Sequence, residues 1–224
     1  LLSHLLYGTH YAIVLDSYTH RTFGSQRQQW MQAVRYGALL RHASLILAEA
    51  PACGEAILRR MPNANVQLVP SSLWRSELEE IESKWASEGW QPVRRPTILY
   101  AGRLVERKNV HHLISAFARL ADQFPTWSLS IVGPAASHDY AQTLTGLVET
   151  NGLSERVHFQ PALAGEQLYR KYRESAIYAL PSEGEGFPTS ILEAMYFGGA
   201  IVAGNSGYVA YQLEGSCGLL HSPG

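Results

Sequence analysis

The sequence predicts an α/β protein built on parallel strands, and three observations predict it. Along residues 95–224, short apolar runs alternate with amphipathic stretches. Gly and Pro punctuate the ends of those runs, at Gly102, Gly133-Pro134 and Asn151-Gly152. The composition is ordinary for a globular protein, with 46% hydrophobic and 17% charged residues. A chain of 224 residues suits one large domain or two modest ones. Strand-helix alternation argues for a parallel sheet with helices on both faces. Ligands of such sheets bind beyond the carboxyl ends of the strands.

Each element follows from its own pattern. Thr97–Ala101 reads as a buried strand that stops at Gly102. Val110, Leu113, Ile114, Phe117, Leu120 and Ala121 share one face of a helix. Trp127–Val132 is a second strand. Tyr140, Leu144, Leu147 and Val148 mark a helix that stops near Asn151-Gly152. Val157–Gln160 is a strand, Glu166–Tyr172 a short helix and Ser175–Leu180 a strand. Pro188–Phe197 is a helix with Pro in its first turn, followed by strands at Ala200–Ala203 and Gly218–Leu220. The first ninety residues are less regular. Strands are expected at Tyr11–Leu15, Ser44–Ala48 and Val66–Val69, with helical stretches at Gln26–Arg41 and Ala52–Met61. Leu73–Arg94, rich in charge and Trp, suits a linker with a surface helix, so the boundary is placed there. Residues 1–90 form a first domain and linker, and residues 91–224 a second domain. Both ends read as cut, the first residue being Leu1 and the last Gly224.

Charge and cysteine usage exclude several classes. The formal net charge of -1 gives no global pull toward nucleic acid or anionic membrane. Cys53 and Cys217 make neither a disulfide framework nor a metal box, and fit a reducing compartment. No run approaches the roughly 20 apolar residues of a spanning helix. A cytoplasmic protein is expected, with peripheral membrane contact left open. No Gly-x-Gly-x-x-Gly follows a strand, which counts against nicotinamide dinucleotides. His111 and His112 are adjacent, so in a helix they diverge and make a poor metal pair. Trp30, Trp74, Trp85, Trp90 and Trp127 read as packing residues rather than a sugar platform.

Two clusters carry chemistry. Gly102-Arg103-Leu104 with Lys108-Asn109 sits between a strand end and a helix. Backbone N–H groups, a helix N-terminus and two cations are what a diphosphate requires. Alone, this pattern is equally that of a surface loop. The second cluster runs from Pro181 to Met195 and holds Glu185 in a Gly-flanked loop and Glu193 in the next helix. Carboxylates accept paired hydrogen bonds from vicinal hydroxyls, so two of them suit the two ends of one sugar nucleotide. Gly184 and Gly186 leave the loop backbone free to approach a ligand, and Phe187 reads as packing beside it.

These pieces, in order, resemble the C-terminal domain of retaining glycosyltransferases of family 4, also called group 1. The resemblance rests on Tyr100-Ala-Gly-Arg-Leu104 with Lys108, Leu129–Gly133, Val157-His-Phe159 and Leu180-Pro-Ser182. It continues through Glu185-Gly-Phe-Pro-Thr-Ser-Ile-Leu-Glu193-Ala-Met195 to Gly218-Leu-Leu220. Ala43–Ser71 is similar to the end of that family's N-terminal domain. The implied fold is GT-B: two Rossmann-like domains with parallel sheets, the N-terminal one incomplete. The implied donor is a nucleotide diphosphate sugar, bound as substrate with no metal or other cofactor. The implied acceptor is a carbohydrate or glycolipid hydroxyl. Arg103 and Lys108 would hold the diphosphate, Glu185 the sugar and Glu193 the ribose. The backbone at Gly102, Gly186, Phe187 and Gly207 would lie against the donor. The chain departs from the family where a second glycine is usual, with Tyr208 after Gly207, and where Pro is usual, with Ala200. Asp16 or His20 would line the cleft, or Asp16 would simply cap a helix.

Retention implies attack on the same face of the sugar, with the departing phosphate taking the acceptor proton. Two other functions stay open at this point. One is a nucleotide-sugar-binding module without transfer, and the other a GT-B-type nucleotide-sugar epimerase. The sequence does not distinguish UDP, GDP or ADP donors, nor does it name the acceptor or the linkage.

Overall fold

The computed structural model describes residues 12–15, 37, 39–49, 51–206, 208–215 and 218–222. The chain divides into two compact units, Leu1–Ser71 and Ser72–Gly224.

In the first unit, strands β1 (Ala12–Leu15), β2 (Leu45–Ala48) and β3 (Val66–Leu68) form a parallel sheet in that order. Helix α1 (Pro51–Arg60) connects β2 to β3 and packs on both. Cys53, Ala56 and Ile57 recur at helical spacing and are all buried, as are Ile46 and Ala48 on β2. Asn65 closes the unit by donating its amide to the Ser44 carbonyl, 3.1 Å away.

The second unit opens with helix α2 (Arg75–Ser87) and is built on a six-stranded parallel sheet. Its strands are β4 (Arg95–Ala101), β5 (Ser128–Val132), β6 (Val157–Gln160), β7 (Ser175–Leu180), β8 (Ala200–Gly204) and β9 (Gly218–His221). Their spatial order is β6-β5-β4-β7-β8-β9. The connecting helices are α3 (Val110–Leu120), α4 (His138–Thr150), α5 (Gly165–Glu174), α6 (Thr189–Tyr196) and α7 (Val209–Leu213). Leu99, Leu129, Ile131 and Ile201 supply the fully buried interior of the sheet. Burial of each such side chain contributes about 1.5–3 kcal/mol. Val110, Ile114 and Phe117 on α3, and Tyr140, Leu144 and Val148 on α4, are the core-facing residues their spacing predicts. Ser137 caps α4, its hydroxyl accepting the Tyr140 N–H at 3.2 Å.

The chain winds outward from β4 through β5 to β6, then returns to β4's other side as β7. Neighbouring carboxyl ends of β4 and β7 therefore send their chains in opposite directions. That is the topological switch point where ligands of parallel sheets bind. Close backbone approach fixes the strand ends there. A Cβ on Gly133 would stand 2.0 Å from the Gly102 carbonyl, and one on Gly204 2.6 Å from that of Ser182.

The boundary differs from the one expected at residue 90, because α2 is a core element and not a linker. Leu78 and Trp85 are buried in the same cluster as the sheet. The Trp85 indole donates to Glu166 at 3.0 Å, and its ring lies 4.5 Å from Trp90 and 5.9 Å from Phe197. Lys84 and Arg170 also reach Glu166, at 2.6 and 2.7 Å. Hydrogen bonds from Lys84, Arg170 and Trp85 hold that carboxyl down to about 2. Arg94 then staples the sheet to the end of α6. Its guanidinium donates to the carbonyls of Ser175 at 3.0 Å, Gly198 at 2.7 Å and Phe197 at 2.7 Å. Trp90 and Trp127 pack as expected, whereas Trp74 is 79% exposed.

Candidate functional site

Two chain segments meet at the switch point: residues 102–109 after β4 and residues 181–188 after β7. The first is fixed from below. Tyr100, fully buried on β4, donates its hydroxyl to the Arg103 carbonyl at 2.9 Å. Burial pushes its phenol well above the usual range, so it stays a donor. Tyr178 on β7 likewise donates to Ala101 at 3.2 Å. Gly102 N–H reaches Val132 at 2.9 Å, and Leu104 N–H reaches Pro134 at 2.9 Å. The Arg103 side chain projects into solvent from this braced turn.

A short 3-10 turn, Glu106–Lys108, leads into α3. Asn109 joins the two in a left-handed conformation, φ 52° and ψ 34°. Among non-glycine residues Asn tolerates that region best. Its buried side chain donates to Pro181 at 3.3 Å. The turn is zipped to the second segment by further bonds. Glu183 N–H donates to Arg107 carbonyl at 3.1 Å, and the Arg107 guanidinium donates to Gly184 carbonyl at 2.9 Å. Above these, Lys108 Nζ and Glu185 Oε1 form an ion pair whose side chains are only 15% and 9% exposed. The sequence pointed to Lys108 and Glu185 separately, and the fold brings them together.

The rest of the second segment is held by α7 and by the residues that lead into it. Gly186 carbonyl accepts from Tyr208 N–H at 3.3 Å, Pro188 carbonyl from Gln212 at 3.2 Å, and Ser182 carbonyl from Ser206 Oγ at 3.0 Å. Phe187 is half-buried beside them. Glu193 sits in the second turn of α6 in different surroundings. Burial lifts its carboxyl above the ordinary range, an effect that the Tyr172 hydroxyl opposes and Glu77 adds to. Glu185 and Glu193 do not touch, yet both act on the buried Tyr178 phenol. Gly207, Asp16, His20, Trp30 and Cys217 fall outside the described residues.

An open cleft of about 530 Å³ flanks the zipped segments, lined by Glu106, Arg107, His111, His112, Tyr140 and Glu183 among others. The two imidazoles, expected to diverge, sit side by side with ring centroids 4.2 Å apart. His111 Nδ1 shares a hydrogen bond with Tyr140 Oη at 2.9 Å. Burial, with His112 adding to it, lowers the His111 pKa. Among the described residues, no group of three or more His, Cys, Asp or Glu side chains is placed to hold a metal ion. None of the described helices is long and apolar enough to cross a membrane.

Sequence reasoning missed Arg107, Tyr100 and Tyr172. Arg107 stands between the two cations that were singled out, and nothing in the local pattern says which would reach across to Gly184. Tyr100 was read only as part of a buried strand and Tyr172 only as the end of a short helix.

The family pattern described as glycosyl transferases group 1 matches residues 83–223. The chain belongs to that family. An uncharacterized glycosyltransferase of Haemophilus influenzae is 38% identical over 109 residues, covering 49% of this chain and 30% of the relative. The D-inositol 3-phosphate glycosyltransferase of Corynebacterium glutamicum is 30% identical over 139 residues, covering 59% of this chain and 33% of the relative. This group 1 chain thus spans about a third of the length of the curated relatives it matches, at 30% and 33%. Among solved structures, sucrose-phosphate synthase from Thermosynechococcus elongatus aligns with a TM-score of 0.73 at 25% identity, over 95% of this chain and 54% of that one. HepE of Anabaena in complex with UDP aligns with a TM-score of 0.78 at 23% identity, over 100% of this chain and 61% of that one. The group 1 chain shares the parallel α/β fold of GT-B glycosyltransferases.

Proposed function

We propose that the full-length protein transfers a hexose from a nucleotide diphosphate sugar to an acceptor hydroxyl, with retention of configuration and without a metal ion. The second unit binds the donor, and the first belongs to the acceptor side. The observation that carries this reading is the Lys108–Glu185 pair at the switch point. An ammonium has three N–H donors, so Lys108 can keep its bond to Glu185 and still donate to phosphate oxygens. Arg103, exposed on its braced turn, adds a second cation for the charge that builds on the leaving diphosphate. Glu185, fixed by Lys108, orients the sugar hydroxyls instead of attacking the anomeric carbon. Glu193 accepts the ribose diol. Family membership and the UDP complex of HepE support a donor of this chemical class. The acceptor fits a carbohydrate or glycolipid.

Arg103→Ala and Glu185→Ala in the full-length protein are the direct test. Each is expected to slow transfer at least about 100-fold. Near-normal transfer by both variants would end this assignment. A thermal-shift panel of UDP, GDP and ADP sugars identifies the nucleotide. A donor at a hundred times its Kd stabilises the native state by about 2.7 kcal/mol. Donor binding without transfer or hydrolysis would instead mark a binding module.

A further inference from the structure

The sequence departs from its family pattern at Tyr208, and that departure builds an aromatic ledge beside the segment that carries Glu185. Tyr208 is half-buried at the start of α7, and Tyr211, three residues on, is 53% exposed. Residues three apart on a helix are neighbours, and here the two rings meet edge to face. Their centroids are 6.0 Å apart and their planes cross at 70°. Single exposed aromatics are common on protein surfaces. This pair differs because its backbone is fastened to residues 182–188. Tyr208 N–H donates to the Gly186 carbonyl at 3.3 Å, one residue past Glu185. Gln212 secures both sides of that contact. Its N–H donates to the Tyr208 carbonyl at 3.0 Å, and its side-chain amide to the Pro188 carbonyl at 3.2 Å. Ser206, just ahead of the pair, donates its hydroxyl to the Ser182 carbonyl at 3.0 Å. Ser206 and Gln212 are themselves buried. The ledge and the Glu185 segment are therefore braced as one unit, with Glu185 itself held by Lys108.

We infer that Tyr208 and Tyr211 form a subsite for the face of a pyranose ring, with Tyr211 as the residue that touches it. The inference rests on the donor reading above and adds a contact to it. A pyranose gathers C–H groups on its faces and carries hydroxyls at its rim. A tyrosine ring matches both, with a flat apolar face and a phenol at its edge that can donate and accept. Tyrosine has only two χ angles, so holding a ligand costs it little conformational entropy. The edge-on Tyr208 ring restricts Tyr211 further. A nucleotide base is also flat, but the group fixed beside this ledge is Glu185, which in the donor reading orients sugar hydroxyls. The pyranose is the one being transferred or one that belongs to the acceptor, and both present the same kind of face.

Tyr211→Ala in the full-length protein tests this, beside Tyr211→Phe, which keeps the ring. Alanine is favourable at an exposed helical position, so the fold should be kept, as circular dichroism will show. UDP, GDP and ADP are titrated by calorimetry beside UDP-glucose, GDP-mannose and ADP-glucose. Methyl glucoside, mannoside and galactoside are then titrated onto the nucleotide-bound protein. Tyr211→Ala should bind the preferred free nucleotide as the parent does. If the ledge holds the transferred sugar, the variant binds the nucleotide sugar about fivefold more weakly. If it holds an acceptor sugar, the same loss falls on the methyl pyranosides. Tyr211→Phe should retain most of the parent's affinity in both cases. The inference is overturned if no sugar-bearing probe distinguishes Tyr211→Ala from the parent, or if the free nucleotide is weakened equally. Failure of the parent to bind any nucleotide or nucleotide sugar overturns the donor reading itself. Equal binding of all probes by parent and variant overturns the ledge alone.

Discussion

Glu185 and Glu193 lie on one short stretch of chain and bear on the same buried phenol, yet their neighbourhoods are opposites. Glu185 is gripped by Lys108 on a loop zipped to its neighbour by Arg107, Asn109 and Glu183. Glu193 is lodged in a helix and half-buried, and burial raises its carboxyl; among the described residues no ion pair to it is formed. The first acid is rigid and compensated before any ligand arrives. The second is strained electrostatically and awaits partners. Two carboxylates of one motif thereby suit two jobs: orienting a reacting sugar, and recognising a distant diol.

The contrast can be broken most severely at Lys108. Lys108→Ala strands a Glu185 side chain that is 9% exposed, and the expected loss is about 3–5 kcal/mol of stability. The double variant Lys108→Met/Glu185→Gln should recover most of it, as read by urea denaturation. Equal losses in single and double variants would mean that the pair is not coupled. Next, Asn109→Ala removes a buried hydrogen bond and places Ala at φ 52°, for about 2 kcal/mol, while Asn109→Gly should cost less. Arg107→Ala unzips the more exposed bond to Gly184 and should cost about 1 kcal/mol, with faster proteolysis in residues 183–187. The smallest effect has the opposite sign and sharpens the comparison. Glu193 has a folded-state pKa raised by burial, so the native state binds its proton more tightly than the unfolded chain. Its contribution is favourable at low pH and is lost as pH rises through the raised value. Glu193→Gln should therefore match or exceed the parent's thermal midpoint at pH 7, and this gain should vanish below pH 4.5. A gain independent of pH would contradict the assigned cause.

Much of the second unit was legible because its signals are local. Periodic apolar positions placed α3 and α4, and the interval between Lys108 and the strand end placed the cation loop. The pattern after β7 placed Glu185 in a Gly-flanked loop and Glu193 inside the following helix. What was not legible depends on pairing between distant segments. Trp85 was read as part of a surface helix, because charge dominates 75–87 and only the fold reveals Glu166 and Phe197 as its partners. The domain boundary moved to Ser71/Ser72 for the same reason. The adjacency of Lys108 and Glu185 required the sheet order, which no spacing along the chain encodes. Arg107 and Lys108 carry the same charge, and only the zipped backbone decides which reaches the carbonyl and which the carboxylate.

The order of strands has a consequence for biosynthesis. Because β4 lies at the centre of its sheet but is made first, one of its edges stays unpaired while β5 and β6 emerge, until β7 arrives. The nascent chain carries that open edge, a sticky template for other strands, through much of its synthesis. The cation-bearing turn meets its acidic partner only in this late step. Ribosome-bound chains halted before β7 should thus be the species most dependent on chaperones.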